Sequence, residues 1–148
     1  MTSKKIISLL PYAEPFLFVD ELTDISEAGI CGNCTFQSDA SFYKGHFINN
    51  PITPGVILTE AMAQIGVVCL GIYLMRNQKV EKSNLKIALT STQVDFFLPV
   101  KPGEKVTVIS EKEYFRFHKL KCNVKLLNER EELVCRGAIS GMINPPKS

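Results

Sequence analysis

The sequence has little net charge, because 17 Lys and Arg residues against 15 Asp and Glu leave only +2 at pH 7. Nucleic-acid-binding proteins carry a marked basic excess, so we expect no nucleic-acid partner. The sequence also lacks internal repeats, low-complexity tracts and any linker-like stretch that would divide it. We therefore expect a single domain over residues 1–148, with an apolar fraction of 45% that is ordinary for a globular protein.

The chain lacks the cysteine patterns of secreted and metal-binding proteins. Its five cysteines are an odd number, and Pro11 and Glu14 interrupt the N-terminal apolar stretch before it reaches the length of a signal peptide. Cys31 and Cys34 form a C-x-x-C pair without a second pair, and on an extended strand their side chains point to opposite faces. We expect free, packed thiols, no metal site and a cytoplasmic location.

Residues 45–75 contain almost no charge, and Glu60 is the only formally charged residue among them at pH 7. We predict a helix from Pro54 onward, with Thr53 as its cap and Pro54 where a missing N–H has no consequence. Apolar residues leave this helix almost no polar face, and its uninterrupted apolar run at 65–75 is too short to span a bilayer. The pattern therefore predicts a buried central helix and no membrane span.

Strand-like segments occupy most of the remaining chain. Enrichment in β-branched and aromatic residues, bounded by turn residues, predicts strands at 16–25, 29–36, 85–98, 105–117, 119–127 and 133–143. A polar loop is predicted at 77–84 and a frayed tail at 144–148. The layout is α+β, with a mainly antiparallel sheet curled around one helix. Dimerisation would cover both the sheet edges and the apolar helix.

Glu60 lies in the second turn of the predicted helix, where an ionised carboxylate without a partner is unfavourable once it is buried. One interpretation places Glu60 at the helix edge, with its side chain reaching solvent. The other is a carboxylic acid that burial keeps protonated near neutral pH, so that it can donate a proton. Gln64 follows one turn later on the same face and can orient Glu60 by a hydrogen bond.

His46 lies in a loop just before the helix, in the sequence Lys-Gly-His-Phe. A lone histidine is more often structural than catalytic, but Phe47 can bury this ring and the prolines that follow stiffen the loop. The free N–H groups of Gly55 and Val56, at the positive end of the helix, form a natural oxyanion site. A base, an acid and a carbonyl-polarising helix end indicate proton abstraction beside a carbonyl and loss of a hydroxyl. The second histidine, His118, is predicted to be a surface or packing residue on a strand.

These motifs resemble those of the FabZ-type 3-hydroxyacyl-[acyl-carrier-protein] dehydratases, which belong to the hotdog superfamily. That family's signature reads G-H-F-P-x-x-P-x-x-P-G-V and continues, after three residues, with E-A-x-A-Q. Residues 9–22, 94–97 and 100–103 are similar to other segments of the same family, so the resemblance spans most of the chain. The positions that match the signature are Gly45-His46-Phe47, Pro51, Pro54-Gly55-Val56, Glu60-Ala61 and Ala63-Gln64.

The resemblance implies a hotdog fold, in which an antiparallel sheet wraps around a long central helix. It also implies a homodimer, often assembled further as a hexamer of three dimers. Each active site would then lie at a dimer interface, with His46 and Glu60 coming from different subunits. Acyl carrier protein is the implied partner, and no cofactor is implied beyond the phosphopantetheine arm on which that protein carries the substrate.

In the reaction that the resemblance implies, His46 is the base that takes the C2 proton of the thioester. Glu60 protonates the departing C3 hydroxyl, and the product is a trans-2-enoyl thioester. The Gly55 N–H polarises the thioester carbonyl and so makes the C2 proton more acidic. The other substrate-binding residues that the resemblance implies are Phe47, Val56 and Gln64.

The chain departs from the family pattern at Ile48, where the family has proline, and at Asn49 and Asn50. These changes remove no proton-carrying group, but they bear on the shape of the substrate tunnel. Acyl chain length, carrier protein against coenzyme A, and fatty acid against polyene or polyketide synthesis therefore stay open. Two other functions also remain: a hotdog thioesterase, which has no use for His46 ahead of Glu60, and a non-catalytic subunit that only binds acyl chains.

Overall fold

The computed structural model, which describes residues 1–144, contains six strands and one long helix. The helix, Gly55–Leu74, packs against the sheet, and we name it the central helix. The strands are β1 (Glu21–Ile25), β2 (Gly29–Thr35), β3 (Ile87–Phe96), β4 (Lys105–Arg116), β5 (Lys119–Leu127) and β6 (Leu133–Ile143). They form one antiparallel sheet in the order β1-β2-β4-β5-β6-β3. The predicted α+β hotdog arrangement, an antiparallel sheet around one long helix, is confirmed.

The inner strands and the edge strand β3 differ in their pattern of burial. In β5, Leu120, Cys122, Val124 and Leu126 are buried, whereas most of the polar residues between them face outward. Burial at every second residue is what a strand shows when one face packs on a core. In β3, by contrast, nearly every residue is exposed, and its only strand neighbour among residues 1–144 is β6.

The central helix contains a wider turn in its middle. It is α-helical over Gly55–Ala63, π-helical over Gln64–Cys69 and α-helical again over Leu70–Leu74. By length and composition it is apolar enough to cross a membrane, but 72% of that stretch is buried inside the protein. The sheet rather than lipid therefore covers it, which confirms the predicted buried helix. The π-helical segment was not predicted, because an all-apolar pattern carries no signal for it.

Two glycines let the sheet approach the central helix closely. A methyl group at Gly66 would lie 3.0 Å from Ser110 Cβ, and the Ser110 hydroxyl donates to the Gly66 carbonyl at 2.9 Å. A methyl group at Gly71 would overlap the end of the Ile143 side chain. Glycine at these positions therefore allows β4 and β6 to pack directly on the helix backbone.

The predicted helix cap is wrong. Pro54, with φ −59° and ψ 140°, occupies the N-cap position, and the helix begins at Gly55. Thr53 is one residue too early to cap this helix. Its buried hydroxyl instead forms a 2.6 Å hydrogen bond with the Tyr43 hydroxyl. The oxyanion prediction is unaffected, because Gly55 and Val56 still hold the first N–H groups of the helix.

The predicted strand at 16–25 is shorter in the structure, where β1 starts at Glu21. Residues 16–20 do not belong to β1, because the Phe16 carbonyl and the Phe18 N–H bond to the Gln64 side chain instead. The predicted strand at 85–98 likewise contracts to Ile87–Phe96. Local β-propensity therefore overestimated both strands, since it contains no information about side-chain competition for backbone groups.

His118 does not lie on a strand, as predicted, but in the turn between β4 and β5. Phe117 and His118 have φ values of 52° and 63°, which are typical of a two-residue hairpin turn. His118 is half-buried, and its Nδ1 lies 3.1 Å from the Ile143 carbonyl oxygen. The prediction that it packs rather than reacts agrees with this hydrogen bond.

Structure near both ends of the described residues was not predicted. An N-terminal helix, Ser3–Ser8, was not predicted, and Thr2 caps it by accepting from the Lys5 N–H at 3.1 Å. At the other end, Asn144 exchanges two hydrogen bonds with Lys86, so it is not frayed. The rest of the predicted frayed tail, 145–148, lies outside the described residues.

All five cysteines are free, as expected from the sequence. Cys31 is half-buried and Cys34 is buried on β2, so the C-x-x-C pair consists of packed thiols. Burial, with a smaller contribution from the negative charge of Asp20, raises the pKa of Cys34 to about 12. This thiol is therefore protonated at neutral pH.

Candidate active site

The loop before the central helix holds His46 in one orientation. His46 Nδ1 lies 2.9 Å from the Ile52 carbonyl oxygen, while the Ile52 N–H donates to the His46 carbonyl at 2.9 Å. Phe47 stacks on the imidazole, with ring centroids 3.9 Å apart. Because a carbonyl oxygen can only accept, Nδ1 carries the hydrogen, and the lone pair of the neutral ring is on Nε2. The half-buried ring thus has one free basic nitrogen.

A hydrogen-bond chain fixes the end of this loop. The Tyr43 hydroxyl bonds to Thr53 Oγ1 at 2.6 Å, and the Thr53 N–H donates to the Val100 carbonyl at 2.9 Å. Burial raises the pKa of Tyr43 above its ordinary value, so the hydroxyl remains neutral. Neither contact was predicted, since no local pattern connects Tyr43 or Val100 with Thr53.

Glu60 is half-buried in the second turn of the central helix, between the two alternatives that the sequence left open. Its Oε1 accepts a hydrogen bond from Gln64 Nε2 at 3.0 Å. Gln64 is fully buried and also bonds to the backbone at Phe16 and Phe18. The contact expected between Gln64 and Glu60 is therefore present, within a larger network that also holds the chain segment before β1.

Tyr12 adds a neighbour to Glu60 that was not predicted. Burial, and then the negative charge of Glu60, raises the pKa of Tyr12 to about 12. The phenol therefore keeps its proton at neutral pH. No local pattern in the sequence connects Tyr12 with Glu60.

The start of the central helix offers backbone donors. Within residues 1–144, no acceptor is found for the N–H groups of Gly55 and Val56, and the first helical bonds run from Ile57 and Leu58 to the Pro54 carbonyl. The ring of Phe96 faces Gly55, since a methyl group there would lie 3.2 Å from two of its carbons. The first two N–H groups of the helix are thus unpaired among residues 1–144, as the predicted oxyanion site requires.

Neither a direct hydrogen bond nor either of two surface clefts connects His46 with Glu60 among residues 1–144. Within the described part of the chain, His46 and Glu60 share no hydrogen bond or ion pair, because each bonds to a different partner. A cleft of about 410 Å³ lies on the outer face of the sheet, and one of about 430 Å³ lies beside the β4–β5 turn. Neither cleft is lined by His46 or Glu60.

Apolar side chains are exposed around the start of the central helix. Val56 is 77% exposed and Ile48 is 81% exposed. We name the exposed set the apolar rim, and it consists of Phe47, Ile48, Val56 and Phe96. An exposed apolar group of this size beside free backbone donors is typical of a binding site or an interface.

Comparisons with known proteins point to one family. The family model described as the FabA-like domain matches residues 10–134. The 3-hydroxyacyl-[acyl-carrier-protein] dehydratase FabZ of Ehrlichia ruminantium is 38% identical over 107 residues, covering 70% of each chain. The enzyme of the same name from Sinorhizobium medicae is 33% identical over 144 residues, covering 95% of this chain and 88% of the relative.

A solved structure has the same fold over the whole chain. The dehydratase heterocomplex ApeI:P from Xenorhabdus doucetiae contains a chain that superposes with a TM-score of 0.78. The alignment covers 100% of this chain and 93% of that one, at 12% sequence identity. At that level of identity the likeness establishes the hotdog architecture alone.

Proposed function

Because this chain belongs to the FabA-like family, we propose that it dehydrates 3-hydroxyacyl thioesters to trans-2-enoyl thioesters. The family match over residues 10–134 carries the proposal, since it includes the motif that holds His46 and Glu60. The substrate is carried on the phosphopantetheine arm of acyl carrier protein, in fatty acid biosynthesis or a related polyene or polyketide pathway. The compartment is the cytoplasm.

The proposed reaction needs two proton transfers and a polarised carbonyl. The Gly55 N–H donates to the thioester carbonyl oxygen and so acidifies the C2 proton. His46 Nε2 binds that proton through its lone pair, and the electron pair of the broken C2–H bond forms the C2–C3 double bond as the C3–O bond breaks. Glu60 gives its proton to the departing hydroxyl, which leaves as water. The protein needs no cofactor of its own for these steps, and Phe47 and Val56 contact the acyl chain.

Two features support a homodimer with a shared active site. Among residues 1–144, no strand pairs with the outer edge of β3, and the apolar rim remains exposed beside the helix start. A second copy would cover both surfaces and bring its own His46 or Glu60 to the site. Three such dimers would form the hexamer that is common in this family.

The function is tested with purified protein and 3-hydroxyacyl thioesters, by following the absorbance of the enoyl product. Glu60→Gln and His46→Ala should each lower turnover by a factor on the order of a hundred or more, because each removes a proton-transfer group. Matched controls are Glu113→Gln, whose carboxylate forms only a partly exposed ion pair with Lys121, and His118→Ala at the β4–β5 turn. Full activity of either site variant would exclude its assigned role.

The same assay separates the alternative functions. A thioesterase would release free thiol without an enoyl signal, whereas an acyl-binding subunit would retain the substrate without turnover. Substrates of several acyl lengths, on carrier protein and on coenzyme A, define the chain length and the carrier. Equal turnover on both carriers would argue against a dedicated acyl carrier protein partner.

A further inference from the structure

Gln64 is a fully buried amide in which every polar atom has a partner. Its Oε1 accepts from the Phe18 N–H at 2.8 Å. Its Nε2 donates one hydrogen to the Phe16 carbonyl at 3.1 Å and the other to Glu60 Oε1 at 3.0 Å. The side chain therefore has no spare donor.

The backbone fixes the orientation of this amide. If the amide were flipped, its NH₂ group would face the Phe18 N–H, and its oxygen would face the Phe16 carbonyl and the Glu60 carboxyl group. Both backbone bonds would be lost at a side chain that is fully buried, which is strongly unfavourable for polar groups. The group that Gln64 presents to Glu60 is consequently a donor.

A fixed donor makes the two oxygens of Glu60 unequal. Oε1 accepts a hydrogen bond from the Gln64 N–H. A carbonyl or carboxylate oxygen is a better acceptor for such a bond than a hydroxyl oxygen is. Oε2 forms no hydrogen bond with another group among residues 1–144. The neutral acid is therefore most stable with its hydrogen on Oε2.

We propose that Gln64 is a positioning residue that keeps the transferable proton of Glu60 on Oε2, the oxygen free to reach a substrate. The catalytic use of that proton rests on the proposed dehydratase function, whereas its location does not. The same amide ties Glu60 to the backbone at residues 16–18, so that segment also determines the orientation of the acid.

The sharpest variant is Gln64→Glu, which keeps the size of the side chain. One carboxyl oxygen still accepts from the Phe18 N–H. The other replaces NH₂ and faces two acceptors, the Phe16 carbonyl and Glu60 Oε1, so it must hold a proton and can satisfy only one of them. The two carboxyl groups then titrate as a coupled pair, and the upper midpoint should rise by about one pH unit or more.

Two readouts follow this change. The pH at which turnover falls on the alkaline side should rise by a similar amount, because the acid keeps a proton to higher pH. Carbon-13 NMR of labelled glutamate carboxyl groups should show the same shift without any substrate, with Glu60→Gln identifying the signal. The matched control is Ser110→Ala, which removes another buried hydrogen bond to the central helix but does not touch Glu60.

Unmoved midpoints in Gln64→Glu would overturn the proposal, and so would an equal shift in Ser110→Ala. If the variant does not fold, the unmodified protein still tests the proposal. The chemical shift of one side-chain amide proton of Gln64 should change as Glu60 ionises. No movement of that proton would overturn the assignment. A shifted carboxyl titration in a protein without dehydratase activity would support the proton position and reject the proposed function.

Discussion

The start and the middle of the central helix differ in how the rest of the chain covers them. In the middle, every residue from 61 to 72 is buried, and two glycines bring the sheet against the helix backbone. At the start, Val56 is 77% exposed, Gly55 and Glu60 are half-buried, and backbone donors point away from any partner among residues 1–144. The same helix is thus core at one point and surface at another.

This difference separates the residues that hold the fold from those proposed to carry out the chemistry. The middle is covered by its own chain, since β2, β4, β5 and β6 all contact it. Around the start, the apolar rim is exposed, and no strand among residues 1–144 pairs with the outer edge of β3. A second copy and a substrate are the molecules that we propose to cover the start.

The largest expected effect is on stability, from a substitution in the middle of the helix. Leu70 is 0% exposed, and Leu70→Ala should lower the free energy of unfolding by about 2–5 kcal/mol through lost burial and a cavity. Val56→Ala at the start should change it by less than about 0.5 kcal/mol at protein concentrations too low for association. Urea unfolding over a range of protein concentrations measures both. If the two variants lost equal free energy of unfolding at every concentration, the contrast between the middle and the start of the helix would be wrong.

The next effect is on assembly, from a charge placed in the apolar rim. Val56→Lys should weaken self-association by about tenfold or more, because a buried charge without a partner is unfavourable at an interface. Sedimentation velocity measures the association. Phe117→Ser is the matched control, since Phe117 is also exposed, at 90%, but lies in the β4–β5 turn. A larger effect of Phe117→Ser would move the proposed interface away from the helix start.

A smaller effect is expected from adding one methyl group beneath Phe96. In Gly55→Ala the new carbon would lie 3.2 Å from the ring, so the ring must shift by a few tenths of an ångström. Turnover should fall by roughly tenfold, as expected when an oxyanion donor is displaced, while stability stays nearly unchanged. The double variant with Phe96→Leu should recover part of the loss. No recovery would show that the ring does not limit the space at Gly55.

The sequence allowed the architecture and the candidate residues to be predicted, for reasons visible in single segments. Alternation in β5 and the continuous apolar pattern of the central helix are local consequences of burial, so they can be read without coordinates. The motif containing His46 and Glu60 is contiguous, and family resemblance interprets it directly. What was missed depends on distant contacts: Thr53 bonds to Tyr43 instead of capping the helix, and Gln64 takes the backbone groups of residues 16–18.

Contacts of that kind carry no local signal, because each joins residues far apart in sequence. The ring of Phe96 lies over Gly55, and the phenol of Tyr12 lies near Glu60, without any spacing that indicates either pairing. The π-helical segment at Gln64–Cys69 is a similar case, since the strands that it contacts, β2, β4, β5 and β6, are distant in sequence. Sequence patterns therefore identified which groups are present, and packing determined how they are oriented.

The smallest effect expected concerns the cysteine thiols. Their rates of alkylation measure how well each region is buried, and they do so without a substitution. Burial raises the pKa of Cys34 and of Cys135 to about 12, and it also raises the pKa of Cys69 in the middle of the helix. At pH 8 a thiol with a pKa of about 12 is a thiolate in roughly one molecule in ten thousand, so alkylation is slow. Brief treatment with iodoacetamide, followed by mass spectrometry, should modify half-buried Cys31 first. Early modification of Cys69 would show that the middle of the helix opens to solvent. The middle and the start would then differ only in how much they are exposed.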